Sequence, residues 1–416
     1  MRILFVTPHP PSRIRVRSYG FLAQLKRAHS VTLVTPCVSQ EEWADVAALR
    51  EQGFEVFTVQ ESRHQAIGRS GLALFTSRPL QVAYAHSEHL ALEVQRLCRE
   101  RVFDVLHVEH LRGIASLEKF VSPYPVVWDA VDCISLLFKH AMIAGPSLAV
   151  RSVARLEYKR TGIYESHILN RFPYVVVTSA RDQEAFMALK RPSTSGPAGN
   201  EEPSSRSIDV VPNGVDLNYF HLEQQERRAF NIVFSGKMSY HANVATALYL
   251  SGQVMPLIWR EQPEATLTIV GSGPTKAIQR LAADPRIEVT GYVEDLRPYV
   301  QRAQVMLSPM VYSVGIQNKV LEAMALGTPV VLAKQAAAAL SAQHGRDLLV
   351  AETPREFAAF ALRLMHDDGL RSSISQAGRA YVEQQHNWSV LTGRLTQLYE
   401  QAILAQSPAE AVLSLS

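Results

Sequence analysis

The chain contains 416 residues, and at roughly 150 residues per domain this length predicts two or three domains. Its 47% hydrophobic and 19% charged residues are ordinary for globular proteins, which excludes a wholly disordered or collagen-like chain. The formal net charge of +3 arises from 42 Lys and Arg against 39 Asp and Glu, and so mild a balance does not predict nucleic-acid binding.

The three cysteines, Cys37, Cys98 and Cys133, form no Cys-x-x-Cys pair. This pattern favours a reducing compartment and argues against structural zinc. The apolar run at the amino terminus is too short for a signal peptide, and no window approaches the roughly 18 consecutive apolar residues of a membrane span. The sequence therefore predicts a soluble cytoplasmic protein.

Short runs rich in β-branched residues alternate with amphipathic stretches along almost the whole chain. The runs predict strands at Ile3–Thr7, Val31–Thr35, Glu55–Val59, Asp104–Val108, Val126–Trp128, Val175–Thr178, from Asp209, and at Asn231–Ser235, Ala265–Val270, Ile287–Thr290, Val305–Leu307, Pro329–Leu332 and Asp347–Val350. The stretches Arg17–His29, Ser87–Arg101 and Arg181–Leu189 are examples of predicted helices between them. This alternation is typical of βαβ units with mainly parallel sheets.

The alternation forms two series, so the predicted fold class is α/β, with two doubly wound Rossmann-like domains facing across a cleft. The first domain is predicted over 1–212, with a flexible loop over 190–207 whose Pro, Ser, Gly and Glu content cannot pack a core. The second domain is predicted over 213–388, and the helix and tail over 389–416 can pack back on the first domain. In such sheets, ligands lie beyond the carboxyl ends of the strands.

A helix that follows a glycine loop is the strongest candidate site. Gly315 opens the loop, a helix is predicted from Gln317 to Leu326, and the free amides at its start form an anion site. Lys319 and Glu322 share one face of this helix because they are three residues apart. A lysine in the first turn opposes the helix dipole unless an anion binds there, and a carboxylate one turn later can accept hydrogen bonds from sugar hydroxyls. A solvated Lys–Glu pair is the alternative.

Three other predicted strands run into glycine turns. Gly236-Lys237 can present backbone amides and an ammonium to a phosphate, although it lacks full P-loop spacing. The turn 271–273 permits close backbone approach to a ligand, and Tyr292 with the backbone of Val293 can wall a nucleobase pocket. Purely structural turns fit each pattern equally well. The donor-side candidates are Gly236, Gly271, Gly273, Tyr292, Val293, Gly315, Ile316, Gln317 and Asn318.

Charged residues follow strands of the first predicted domain. Arg13, Arg15 and Arg17 lie in the loop after the first strand and suit a phosphate or carboxylate, with a solvated helix start as the alternative. Acids and histidines at later strand ends are candidates for acceptor binding or proton transfer. No metal site is predicted, because the pair His107-x-Glu109 lacks a third ligand at suitable spacing. The acceptor-side candidates are Arg13, Arg15, Arg17, His107, Glu109, Asp129 and Asp132.

Together these motifs resemble the retaining glycosyltransferases of family 4, which have the GT-B fold. The resemblance covers nearly the whole chain and is carried by Val211–Asp216, Phe234–Lys237, Leu267–Pro274, Gly291–Asp295, Lys319–Ala325 and Asn387-Trp388. The His-Pro-Pro opening and the Gly-Ile-Gln-Asn-Lys stretch look especially like sugar transferases associated with exopolysaccharide export in Gram-negative bacteria.

The resemblance implies a UDP- or GDP-sugar donor on the second domain and a glycan or lipid-linked acceptor on the first. Neither cofactor nor metal is expected, because the sequence lacks an Asp-x-Asp motif and lysines with backbone amides can neutralise the diphosphate. Glu322 matches the second glutamate of the family's Glu-x7-Glu motif, which holds ribose hydroxyls. In retaining transfer of this kind no protein nucleophile is required, so the main task is to stabilise charge on the diphosphate. The catalytic candidates are Lys237, Lys319 and Glu322.

The chain departs from the family pattern at four places, one of which is the N-terminal Gly-Gly that is missing from the loop Pro8–Arg17. The first motif glutamate falls on Val314, and the usual Lys-Gly of the donor phosphate loop falls on Ala242-Asn243. The family's histidine of the first domain falls near Val131. Val314 and Ala242 keep open the alternative of a degenerate sugar-nucleotide-binding subunit. A nucleotide-sugar epimerase is the other alternative, because such epimerases share this two-domain fold.

Two stretches, Leu136–Ala144 and Ala149–Arg160, combine apolar with basic residues. Arg151, Arg155 and Lys159 recur every four positions and Arg160 is adjacent, so these four basic residues are predicted to cluster on one helix flank. A lipid-linked acceptor would lie at the inner leaflet, whose anionic surface attracts basic residues. The sequence thus predicts peripheral contact with the inner membrane, and an ordinary amphipathic helix with a solvated basic face is the alternative.

Overall fold

The computed structural model of the protein describes residues 1–12, 15–144, 148–189, 207–223, 225–309 and 316–406. The strands are β1 Arg2–Val6, β2 Ser30–Cys37, β3 Glu55–Gln60, β4 Val105–Glu109, β5 Val126–Val131, β6 Tyr174–Val177, β7 Ser207–Val210, β8 Asn231–Ser235, β9 Thr266–Val270, β10 Ile287–Gly291, β11 Val305–Ser308, β12 Val330–Ala333 and β13 Leu349–Ala351. Each predicted strand is present, with ends shifted by a few residues at most.

The helices surround these strands. They are α1 Val16–Leu25, α2 Gln40–Glu51, α3 Arg63–Ala73, α4 Leu80–Ala85, α5 Glu88–Glu100, α6 His110–Ile114, α7 Ile134–Ala144, α8 Leu148–Arg171, α9 Ala180–Leu189, α10 His241–Tyr249, α11 Met255–Glu261, α12 Lys276–Gln279, α13 Arg297–Gln301, α14 Asn318–Ala325, α15 Lys334–Ala337, α16 Pro354–His366, α17 Asp368–Gln385 and α18 Trp388–Ala405. A π-helical turn, Leu250–Val254, joins α10 to α11, and a 3-10 turn, Arg280–Ala283, follows α12.

The chain divides into two compact units, residues 1–212 with 391–416 and residues 213–390. Unit 1 contains a parallel sheet in the order β3-β2-β1-β4-β5-β6-β7, and unit 2 contains one in the order β10-β9-β8-β11-β12-β13. The strand order reverses between β1 and β4 in the first sheet and between β8 and β11 in the second. Doubly wound sheets bind ligands beyond the strand ends at such points.

Each sheet is buried on both faces, as parallel sheets require. In unit 1, Leu4 of β1, Leu106 of β4 and Trp128 of β5 are fully buried in one apolar cluster. In unit 2, two clusters cover opposite faces of the sheet, one containing Phe234 of β8 and the other containing Val320 of α14. The continuous β-branched runs that predicted these strands are the consequence of this two-sided burial.

Two further sequence predictions concern a flexible loop and the absence of a membrane-spanning segment. The predicted loop 190–207 lies outside the described residues, except for Ser207, with which β7 begins. Across the part of the chain that the structure describes, no helix combines the length and apolar character needed to cross a bilayer.

Candidate functional site

The turns after β8 and β9 run side by side at the strand-order reversal of unit 2. The Gly236 amide donates to the Val270 carbonyl at 2.9 Å, and the Met238 amide donates to the Ser272 carbonyl at 2.8 Å. A Cβ at Gly271 would lie only 1.8 Å from the Gly236 carbonyl oxygen, and φ of Gly271 is +146°. Only glycine fits this position, because any side chain would displace the neighbouring backbone.

The first turn of α14 brings an ammonium to this pair of turns. Lys319 Nζ donates to Asn243 Oδ1 at 2.5 Å and lies 4.6 Å from the centre of the Phe234 ring. The Nδ2 of Asn243 donates to the Lys237 carbonyl at 2.9 Å. A Cβ at Gly236 would lie 3.0 Å from the Lys319 ammonium. Asn243 thus links the Gly236-Lys237 turn to Lys319, while the exposed Lys237 side chain supplies a second cation on the same turn.

Lys319 and Glu322 are unusually easy to neutralise. Burial lowers the pKa of Lys319 to about 8, against the smaller opposing effect of Glu322. Burial raises the pKa of Glu322 to about 7, against the attraction of Lys319. Both groups therefore titrate near neutral pH, which is common where a site is shaped for a charged or polar ligand. A solvated surface pair would not be buried in this way.

The other donor-side candidates occupy the same edge of the unit 2 sheet or lie close to it in sequence. Gln317 accepts a hydrogen bond from Ser308 Oγ at the end of β11, at 3.1 Å, and Asn318 Oδ1 accepts one from Asn213 at 3.4 Å. Tyr292 follows β10 with 78% of its surface exposed. Val293 and Ile316 are half-buried and Gly273 is exposed, whereas Gly315 lies outside the described residues.

Arg15 and Arg17, predicted to bind an anion in unit 1, both pair with carboxylates of the same unit. Arg17 Nε and Nη2 donate to the two Asp129 oxygens at 2.7 and 2.9 Å, and both side chains are buried. Arg15 donates to Glu42 Oε1 at 3.0 Å. Each guanidinium is already paired with a carboxylate, and anion binding by these two residues stays a prediction. Arg13 lies outside the described residues.

His107 is a buried packing residue and not an exposed acceptor contact. Its ring stacks on Phe5 with a centroid distance of 4.1 Å, and its Nδ1 lies 2.8 Å from Tyr399 Oη of α18. Burial lowers the pKa of His107 to about 4, outweighing the charge of Asp129 3.7 Å away. The imidazole is therefore neutral near pH 7 and ties α18 to β4.

Two acids of unit 1 remain available for proton exchange. Burial, with the charge of Asp129, raises the pKa of Glu109 to about 7. Burial also raises the pKa of Asp132 to about 6, although Thr178 Oγ1 donates to it at 3.1 Å. Asp132 follows a bulge in β5 at which Val131 has φ of +66°, a costly conformation for a β-branched residue. Strain of this kind is often found at functional sites.

Two comparisons with known proteins bear on this arrangement. Residues 229–367, which include the Gly236 turn and α14, match the family model described as "Glycosyl transferases group 1". A GDP-mannose-dependent monoacylated alpha-(1-6)-phosphatidylinositol monomannoside mannosyltransferase of Corynebacterium glutamicum is 28% identical over 219 residues. That match covers 47% of this chain and 57% of the relative, so the chain matches little more than half of that protein's length.

Solved structures share the architecture over nearly the whole chain. HepE of Anabaena in complex with UDP has a TM-score of 0.65 at 16% identity, over 96% of this chain and all of that one. Sucrose-phosphate synthase of Thermosynechococcus elongatus has a TM-score of 0.68 at 17% identity, over 98% of this chain and all of that one. The chain has the GT-B fold of these structures, and its residues 229–367 match the glycosyltransferase family model. This confirms the fold class inferred from the sequence, and the family match agrees with the resemblance over residues 229–367.

Two residues of this GT-B protein have positions that sequence reasoning did not anticipate. Asn243 stands at a departure from the family pattern, yet it holds the Lys319 ammonium beside the Gly236 turn. Glu165 of α8 accepts hydrogen bonds from the Ile134 and Ser135 amides, at 2.7 and 3.2 Å. Its carboxylate therefore caps the N-terminus of α7. Neither contact has a local sequence signal, because the partners lie 76 and about 30 residues apart.

Proposed function

We propose that this GT-B protein is a retaining glycosyltransferase that moves a sugar from a UDP- or GDP-sugar to a cell-surface glycan or lipid-linked acceptor, in exopolysaccharide biosynthesis. The observation that carries the proposal is the Lys319 ammonium held 2.5 Å from Asn243, beside two glycine turns at the sheet's strand-order reversal. This is the chemistry that a diphosphate requires: cations and backbone amides at strand ends and a helix start. HepE, of similar fold, was solved with UDP.

Charge stabilisation on the departing diphosphate is the proposed source of catalysis. As the bond from the sugar's anomeric carbon to the phosphate oxygen breaks, Lys319, Lys237 and the amides that begin α14 offset the developing negative charge. The acceptor's hydroxyl oxygen bonds to the anomeric carbon on the face that the diphosphate leaves, and a leaving phosphate oxygen takes the hydroxyl proton, so the configuration is retained. Glu322 accepts hydrogen bonds from the ribose hydroxyls, and the exposed Tyr292 ring is available to stack on the base.

The acceptor is proposed to bind unit 1, near the strained end of β5. Glu109 and Asp132 can exchange protons near neutral pH and can bind acceptor hydroxyls. Peripheral contact with the inner membrane would bring a lipid-linked acceptor to this unit. In support, Arg151, Arg155 and Lys159 of α8 are exposed, as the basic flank predicted from their spacing requires.

Product analysis with radiolabelled nucleotide sugars tests the proposal. A panel of UDP- and GDP-sugars is incubated with the full chain and a membrane lipid extract, and the label is followed by chromatography. Label in a new glycan or glycolipid is the expected result. Label recovered in an epimerised nucleotide sugar would instead identify an epimerase, and binding without any conversion would identify a sugar-nucleotide-binding subunit.

Transfer is expected to need no metal. The sequence contains no Asp-x-Asp motif, and Lys237, Lys319 and the α14 amides can neutralise the diphosphate. Activity should therefore be unchanged after dialysis against EDTA. Loss of activity in EDTA that magnesium restores would contradict this expectation.

The rate is expected to have a narrow pH optimum. In the free enzyme Lys319 must be protonated to attract the diphosphate, so kcat/KM for the donor should fall as the pH rises through about 8. Glu322 must be ionised to accept hydrogen bonds from both ribose hydroxyls. We therefore expect kcat/KM to fall also as the pH drops through about 7.

Substitutions test whether Lys319 causes the alkaline fall of the pH–rate profile and Glu322 causes the acid fall. Lys319→Arg keeps its charge in alkali and should remove the alkaline fall, whereas Glu322→Gln should remove the acid fall at a lower overall rate. A wild-type profile that is flat from about pH 6 to about pH 9 would contradict these assignments.

A further inference from the structure

We propose that unit 1 carries a docking surface for an anionic lipid bilayer, formed by the end of α3 and the solvent side of α8. We name it the α3–α8 face and define its apolar part by Leu72, Leu74, Phe75, Leu148, Leu156 and Ile163. The inference rests on the proposed function, because a membrane surface would bring the protein to a lipid-linked acceptor. The exposed apolar and basic residues that support it do not depend on that function.

The end of α3 exposes an unusual group of large apolar side chains. Leu72, Leu74 and Phe75 are 72%, 53% and 90% exposed, and all three fall within four residues. Single exposed apolar residues are normal in soluble proteins, whereas contiguous ones mark an interaction site. The predicted membrane contact included α7 and α8 only, so this group at the end of α3 adds a third element.

Hydrogen bonds fasten this group against α8. Arg160 Nη2 donates to the Leu74 carbonyl at 3.0 Å, and the Leu80 amide donates to Glu157 Oε2 at 2.8 Å. Because the contacts lie on both sides of Phe75 in the sequence, they hold the intervening residues beside the middle of α8. The apolar group therefore has a fixed support.

The solvent side of α8 contributes a second exposed apolar strip to the α3–α8 face. Leu148, Leu156 and Ile163 are 80%, 45% and 73% exposed, at spacings that place them on one side of the helix. Exposed basic residues interleave with them on that side, at Arg151, Arg155 and Lys159. An apolar strip with interleaved cations matches the interfacial region of an anionic membrane, where side chains meet both hydrocarbon and phosphate.

The charge balance of the two segments supports a lipid occupant. Residues 62–87 and 133–156 contain no Asp or Glu, while the whole chain has nearly equal numbers of basic and acidic residues. The basic residues within them are Arg63, Arg69, Arg78, Lys139, Arg151 and Arg155. Arg69 and Arg78 pair with Glu61 and Glu118, which lie outside these segments. A second copy of this chain is a poor occupant, because a symmetric pairing would oppose like charges.

Vesicle co-sedimentation of the full chain tests the proposal. We expect the protein to pellet with phosphatidylcholine vesicles that contain phosphatidylglycerol, to pellet much less with phosphatidylcholine alone, and to be released by high salt. Phe75→Ser and the pair Arg155→Glu with Lys159→Glu should each lower the partition coefficient roughly tenfold or more. The matched controls are Val121→Ser and Lys119→Glu, which change an exposed apolar and an exposed basic residue elsewhere on unit 1.

Equal pelleting with neutral vesicles, or an unchanged partition coefficient in the α3–α8 variants, would overturn the lipid surface. A concentration-dependent dimer that Phe75→Ser abolishes would also overturn it and assign the face to self-association. Calorimetric titration with nucleotide sugars separates this result from the proposed function. Donor binding without vesicle binding rejects only the surface, and vesicle binding without donor binding rejects only the transferase.

Discussion

Replacing Lys319 with alanine is expected to slow sugar transfer by roughly 100-fold or more while leaving the fold intact. The ammonium lies beside the Gly236 turn, partly buried and held by Asn243, so its contact with a developing phosphate charge is poorly screened by water. Lys237→Ala should have an effect in the same direction, because its cation lies on the same turn. Steady-state kcat with the active donor measures both losses, and circular dichroism checks the fold.

Two comparison variants test whether the expected loss of transfer rate comes from the lost charge or from lost packing. Lys119→Ala removes an exposed lysine of unit 1 and should keep the wild-type rate. Asn243→Ala removes the acceptor of the Lys319 hydrogen bond but keeps the ammonium, so it should lose less activity than Lys319→Ala. Wild-type turnover in both Lys237→Ala and Lys319→Ala would remove the argument that these lysines compensate for the lysine that Ala242 replaces.

Replacing Gly271 with alanine is expected to destabilise unit 2 by about 3 kcal/mol or more. The new methyl group would lie 1.8 Å from the Gly236 carbonyl oxygen, and the residue would retain a φ of +146° that L side chains rarely adopt. Either the backbone strain persists or the Gly236 turn moves away from Lys319. We expect thermal unfolding of unit 2 to shift downward by roughly 6–12 °C, with loss of donor binding at temperatures where the variant is still folded.

The matched control for this prediction is Gly252→Ala in the π-helical turn. No atom lies within 4 Å of a Cβ built there, so the substitution should be neutral or slightly stabilising. If Gly271→Ala unfolds at the wild-type temperature, the close contact between the two turns does not exist in solution.

The fold was largely predictable because its local signals agree with one another. The continuous apolar run of β8 was predicted at Asn231–Ser235 and forms there, and the helix predicted from Gln317 to Leu326 forms as α14, Asn318–Ala325. A parallel strand that is buried on both faces has a continuous run of β-branched residues. A helix that is buried on one face has apolar residues spaced three and four positions apart.

The pairing of charges was not predictable, because partners in a folded chain need not be near in sequence. Arg17 and Lys319 both appeared as cations at strand or helix ends, yet Arg17 meets Asp129, 112 residues away, while Lys319 meets the neutral Asn243. One cation is thereby neutralised, and the other keeps its charge beside the glycine turns. Spacing alone does not distinguish a structural ion pair from a group that awaits a ligand.

The most direct test of the central claim is calorimetric titration of UDP and GDP into the wild-type protein and Lys319→Ala. The account predicts that at least one of the two nucleotides binds the wild type and raises its melting temperature by mass action. It also predicts that Lys319→Ala weakens this binding roughly tenfold or more while Lys119→Ala does not. Failure of both nucleotides to bind, or equal affinity in Lys319→Ala and the wild type, would contradict it.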